Sequence, residues 1–256
     1  MSVFRSIVFS AVVSGLIAGG AVTVAQQFST VPLILKAETY EHDEAEGNAK
    51  PAASAAQRDS AHDHSGHDHA AHQHDGPQPG AHQHDATAWK PAEGLPRHAF
   101  TAAANVLTAT GFALLLAGIY ALRGRAVTWR DGLLWGLSGF VIFTIAPGVG
   151  LPPELPGVPT ASLAPRQAWW IATAAVTACG LGLIFLHRSA WAAVLGLCLM
   201  AAPHLFGAPQ PAAVETDVPG ALSHQFVVAA TVTSLLFWAL LGSLTGMAYG
   251  RFSTRA

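Results

Sequence analysis

The sequence predicts an all-α, polytopic membrane helix bundle of about six spans with a long external loop, on three observations. Only 11% of the 256 residues are Asp, Glu, Lys or Arg, about half the share usual in soluble domains, while 51% are hydrophobic. That leaves too little charge to coat a globule. Six uncharged runs, at about 6–26, 101–122, 132–149, 168–186, 190–206 and 225–250, approach the ~20 residues that cross ~30 Å of hydrocarbon. No Asp, Glu, Lys or Arg interrupts any of them, whereas a helix on a soluble core shows a charged face at the helical period.

Taken in order, residues 1–35 read as a first membrane helix. Arg5, an apolar stretch and Thr23-Val24-Ala25 loosely fit a cleavable leader. The run is long for one, and Val31-Pro32-Leu33-Ile34-Leu35 follows directly, so an uncleaved helix is expected. Residues 36–98 form an acidic, histidine-rich outer loop, and residues 99–256 hold the other five helices. The run from Ala190 to Phe206 is the shortest and has Pro203 near its end; read as re-entrant, it leaves five spans. Gly15 and Gly19, Gly132 and Gly136, and Gly242, Gly246 and Gly250 are spaced by four, which predicts close helix packing along small-residue faces. Trp169 and Trp170 at one boundary, with Trp129, Trp135 and Trp191 at the other, fit interfacial belts. Cys179 and Cys198 fall within spans and read as apolar fillers, with no disulfide framework. Ala146-Pro147 and Ala202-Pro203, 56 positions apart, each close a hairpin and hint at a two-hairpin repeat within the bundle.

Charge sets the orientation. With both termini cytoplasmic, Arg5, Arg123, Arg125, Arg130, Arg188, Arg251 and Arg255 fall in short inner segments against Asp131 alone, a net +6. The outer segments carry six basic residues and fourteen acids, a net −8, and such a face concentrates cations. Thirteen Lys and Arg against fifteen Asp and Glu leave no basic surplus for nucleic acid.

Between Asp59 and Asp85, eight of 27 residues are histidine, in repeated His-x-His units: His62 and His64, His67 and His69, His72 and His74, His82 and His84. The Gly, Pro, Ala and Ser between the pairs oppose a packed core, so a disordered tether is expected. Neutral imidazole suits Co2+, Ni2+, Cu2+ and Zn2+, and adjacent pairs let several rings share one ion. The plainer alternative is a solubilising or pH-sensitive spacer. The spans offer no Asp, Glu or His near the midplane, only neutral groups such as Gln26, Gln27, Asn105 and Thr108. Ligand-type side chains gather instead at the outer helix ends: Glu38, Glu41, Glu154, His204, Glu215, Asp217 and His224. We take the loop histidines with His204, His224 and Glu154 as candidate metal ligands, and Glu38, Glu41, Gln26 and Gln27 as an outer mouth or transport path.

Several stretches resemble the CbtA family, predicted membrane subunits of a cobalt transporter. They are Phe4-Arg5-Ser6-Ile7-Val8, Gln26-Gln27-Phe28, the run from Pro32 to Glu41, Leu151-Pro152-Pro153-Glu154-Leu155-Pro156-Gly157, Arg166-Gln167 before Trp169-Trp170, and Ala202-Pro203-His204-Leu205. The resemblance implies cobalt as the favoured cargo, a link to cobalamin biosynthesis, and a small single-span, histidine-rich partner subunit of the CbtB type. The family is usually described with five spans. The reading is therefore a multi-pass membrane subunit of divalent transition-metal uptake, placed by its resemblance in the bacterial inner (cytoplasmic) membrane, with the lipid bilayer as solvent and a homo-oligomer left open. It is not an enzyme, since the spans carry no catalytic acid or base. The alternative is a membrane metal sensor or buffer that binds without translocating. No Gly-x4-Gly-Lys-Ser/Thr loop is present, so any ATP drive must come from another chain.

Overall fold

A computed structural model describes residues 3–40, 94–187, 189–212 and 215–253. All regular structure among them is helical. Helix α1 (Val3–Phe28) is followed by a turn and a short helix α2 (residues 31–40). Next come α3 (Leu95–Arg123) and α4 (Trp129–Phe140), which runs through a π-helical turn, Val141–Ile145, into α5 (Ala146–Gly150). Helix α6 (Leu163–Gly182) ends in a second π-helical turn, Leu183–His187, and α7 (Ala190–Phe206) and α8 (Gly220–Ser253) complete the bundle.

Five segments are long and apolar enough to cross a membrane: Val3–Phe28, Leu95–Arg123, Trp129–Gly150, Leu163–His187 and Gly220–Ser253. The 17 residues of α7 extend ~25 Å at the helical rise. This helix lies antiparallel on α6, with the rings of His187 and Trp191 6.3 Å apart at one end and those of Trp169 and His204 5.8 Å apart at the other. It thus returns the chain along the height of α6. The first and last helices finish together, where the Ser6 hydroxyl donates to the Phe252 carbonyl at 3.2 Å. We call this the terminal end; α2 and residues 151–162 and 207–219 occupy the opposite, loop end.

The apolar stretch expected as one helix over 1–35 divides at Ser29-Thr30. Pro32 has no N–H for the carbonyl four residues back and its ring crowds that carbonyl, so the helix stops and restarts. The hydroxyls of Ser29 and Thr30 turn back onto the carbonyls of Ala25 and Gln26, at 2.8 and 3.5 Å. Helix α2 then packs Ala37 against Leu155, Val218, Leu222 and Phe226. At Pro147 the helix continues, because the π-helical turn just before it loosens the backbone where a proline would otherwise clash. The start of α4 is fixed by reciprocal capping between Thr128 and Asp131.

The glycine faces do what their spacing implies. A Cβ at Gly19 would stand 2.6 Å from Val106 Cα on α3, and one at Gly246 would stand 2.7 Å from the Thr128 carbonyl and 2.8 Å from Gly132 Cα. Gly132 and Gly136 of α4 face Gly242 and Gly246 of α8, backbone on backbone. Between these seams lies an aromatic core, in which Phe143 stacks on Trp238 at 5.5 Å and Phe112 sits 4.7 Å from the same indole. Cys179 and Cys198 are exposed on the bundle surface, not core fillers. With them on that surface lie Leu107, Leu134, Ile171, Leu197 and Val232, an apolar coat suited to lipid. Helices α6 and α7 pair directly through Gly180 and Gly196, whereas α4 pairs with α8, so the two hairpins pack on different partners.

Gly136→Leu should therefore force α4 from α8 at a cost of ~3 kcal/mol or more, read as a lower melting temperature in detergent. Gly118→Ala, whose new methyl meets nothing within 4 Å, should be neutral or stabilising. Equal melting of the two variants would refute the packing argument.

Candidate functional site

A half-open cleft of about 350 Å3, hereafter the chamber, lies between α1, α3 and α8 toward the loop end, its wall more apolar than polar and Thr108 exposed at its edge. Its polar lining is Gln26, Thr30, Asn105, Thr108, Thr233 and Ser234, with Val22, Ile34, Phe226, Ala230 and Phe237 as apolar wall. The Asn105 amide donates to Gln26 Oε1 at 2.7 Å and to the Thr23 hydroxyl at 3.0 Å, tying α3 to α1. Ser29 and Thr233 hydroxyls meet at 3.0 Å and tie α1 to α8. Such side chains are costly in hydrocarbon unless they pair or face water, so their gathering on three helices makes this cleft a polar patch within otherwise apolar spans. Among the described residues no carboxylate or imidazole lines it. Its polar groups are neutral amides and hydroxyls.

Above the chamber the loop end is closed by apolar contact. Ala37, Leu155, Val218, Leu222 and Phe226 form a buried cluster, with Ile34 and Val158 against it. Helix α2 is latched to the start of α3, because Arg97 grips Glu38 at 2.6 Å. Gln27 reaches across to His98, 3.2 Å from its Nδ1. The 151–162 and 207–219 segments are joined where the Thr216 hydroxyl donates to the Gly157 carbonyl at 2.8 Å.

The sequence-derived ligands are distributed as follows. Gln26 is in the chamber and Gln27 just beyond it. Glu38 and Glu154 are each engaged by an arginine, Glu154 by Arg166 at 2.7 Å. His204 lies edge-on to the Trp169 ring on α7, away from the three helices of the chamber. His224, Glu215 and Asp217 are exposed at the loop end. Among the described residues, no three of His, Cys, Asp or Glu come together as a metal site. Glu41 and the loop histidines His62, His64, His67, His69, His72, His74, His82 and His84 lie outside the described residues. Thr233 and Ser234 were missed, since single hydroxyls in an apolar span are common and only packing shows which face inward.

Burial raises the Glu154 carboxyl above its ordinary value of 4.5, and Arg166 offsets this only in part. A raised folded value means that the protonated form is favoured, so the stability this group contributes is present in acid and lost as pH rises through the raised value. Glu154→Gln, which mimics the protonated form, should melt no lower than the wild type at neutral pH. A clearly lower melting temperature would mean that the Arg166 pair outweighs burial.

Five helices of membrane-spanning length and composition define a polytopic α-helical membrane protein. The chain belongs to the CbtA family: the model described as "Probable cobalt transporter subunit (CbtA)" matches residues 4–250. No curated protein and no solved structure matches it.

Proposed function

We propose that this chain is the membrane-embedded passage subunit of a divalent transition-metal uptake system, with Co2+ as favoured cargo, in the bacterial inner membrane with both termini cytoplasmic. The observation that carries the reading is the half-open chamber beneath the loop end, where neutral amides and hydroxyls from three helices gather. The segment 41–93, with its eight paired histidines, joins α2 to α3, and residues of both helices line that chamber. Captured ions are therefore released next to it. Six waters take up ~180 Å3 at their liquid volume. The chamber's 350 Å3 accommodates an ion that keeps its hydration shell. Amide and hydroxyl oxygens then replace bulk water around that shell, and the dehydration that neutral ligands could not repay is avoided. Movement of α2 at the Glu38–Arg97 latch opens the apolar cap. Family membership supports cobalt as cargo; a small single-span, histidine-rich partner of the CbtB type is proposed with it, and energy coupling is assigned to other subunits. A membrane sensor or buffer would bind the same ions without moving them, and cobalt uptake into proteoliposomes separates the two.

A further inference from the structure

We propose that the groove between α3, α4 and α6 near the terminal end is a binding site for an anionic phospholipid, independent of the metal passage. Its volume is about 820 Å3, and Ile119, Leu134, Leu181 and Phe185 are among its apolar walls. It exists because α6 meets the α4–α5 segment toward the loop end, where Trp170 lies 6.0 Å from Phe143 and Trp169 lies against Gly150. Three observations identify the occupant.

The first is charge. Arg123 and Arg125 close the terminal end of the groove, at the level of Trp129 and Trp135. Arg123 is held over the Trp135 ring at 5.3 Å, and Arg125 is exposed and makes no ion pair among the described residues. The acid in the lining, Asp131, accepts from the Thr128 N–H and hydroxyl at 2.9 and 2.6 Å; these bonds and nearby Arg123 keep it ionised, so the two guanidiniums and this carboxylate leave the rim a net +1. Two guanidiniums at a membrane interface, above an apolar slot, match a phosphate headgroup over its acyl chains.

The second is an orphaned donor. Tyr120 lines the groove, is fully buried, and its hydroxyl has no hydrogen-bond partner. A buried hydroxyl without a partner costs free energy, and a headgroup or glycerol-ester oxygen would offset it once the side chains covering the hydroxyl move aside. The third is size. A helix about 10 Å across fills ~420 Å3 per turn, so the space inside the half-open groove equals about two turns. Slender acyl chains can fill that space, whereas a helix would seat only one face in it.

The test is lipid analysis of the full chain purified in mild detergent. Phosphatidylglycerol or cardiolipin should co-purify enriched about tenfold over phosphatidylethanolamine relative to the membrane, the scale of two basic contacts at a bilayer surface. The double variant Arg123→Gln/Arg125→Gln should lose the enrichment. Gly182→Phe should lose bound lipid with both arginines intact, because a side chain there meets nothing within 4 Å of its Cβ and fills the groove without disturbing the packing. Equal recovery of anionic and zwitterionic lipid from the wild type overturns the proposal even if the variants fail to fold. So does a photocrosslink from Leu181 that captures a protein helix in place of lipid.

Discussion

Thr108→Val combined with Ser234→Ala is expected to cut cobalt uptake at saturating metal by about tenfold, or ~1.4 kcal/mol of barrier. Both side chains line the chamber, and neither takes part in the Asn105–Gln26–Thr23 network that ties α1 to α3. The replacements keep size and remove two oxygens that would face a hydrated ion, so the bundle should melt as the wild type does. Asn105→Leu should be more severe, because it also leaves the Gln26 carbonyl without its donor inside the membrane. Uptake measured at saturating Co2+, with membrane protein levels matched, checks both. Wild-type rates in the double variant would move the passage out of this chamber.

Deleting Asp59 to Asp85 should act differently. If the segment collects ions as proposed, its loss should raise the metal concentration for half-maximal uptake by about tenfold and leave the saturating rate nearly intact. The same shift should appear on acidification of the wild type. Imidazole must be neutral to bind metal, so with an ordinary pKa of ~6.5 loop affinity falls between roughly pH 7 and pH 5. The deletion variant should lack that dependence. A flat affinity in the wild type over this range would assign the binding to the aspartates instead.

These expectations rest on features that were unequally legible in the sequence. The glycine faces were readable because a spacing of four recurs on one side of any helix, whatever its partner. Gly132 and Gly136 told of a close approach, but nothing local named Gly242 and Gly246 as the surface approached. The ligand-type residues at the loop end were also visible. Their pairing was not: Glu38 finds Arg97 59 positions away, beyond the whole histidine-rich segment. An acid read as part of an outer mouth thereby becomes half of a latch. Pro32 carried the signal for the break between α1 and α2, yet the apolar residues on both sides masked it as one span. At Pro147 the same residue type does not end its helix, because a π-helical turn absorbs the misfit. The groove below Trp170 had no sequence signal, since it arises from where α6 parts from its neighbours.

The most direct test is cobalt movement by the purified chain, with the proposed single-span partner, in proteoliposomes loaded with a cobalt-sensitive dye. The account predicts a luminal signal that grows with external Co2+ and falls about tenfold in the Thr108→Val/Ser234→Ala variant. Cobalt bound at the vesicle surface with no luminal signal, in wild type and variant alike, would contradict it and make the protein a membrane-bound metal sensor or buffer.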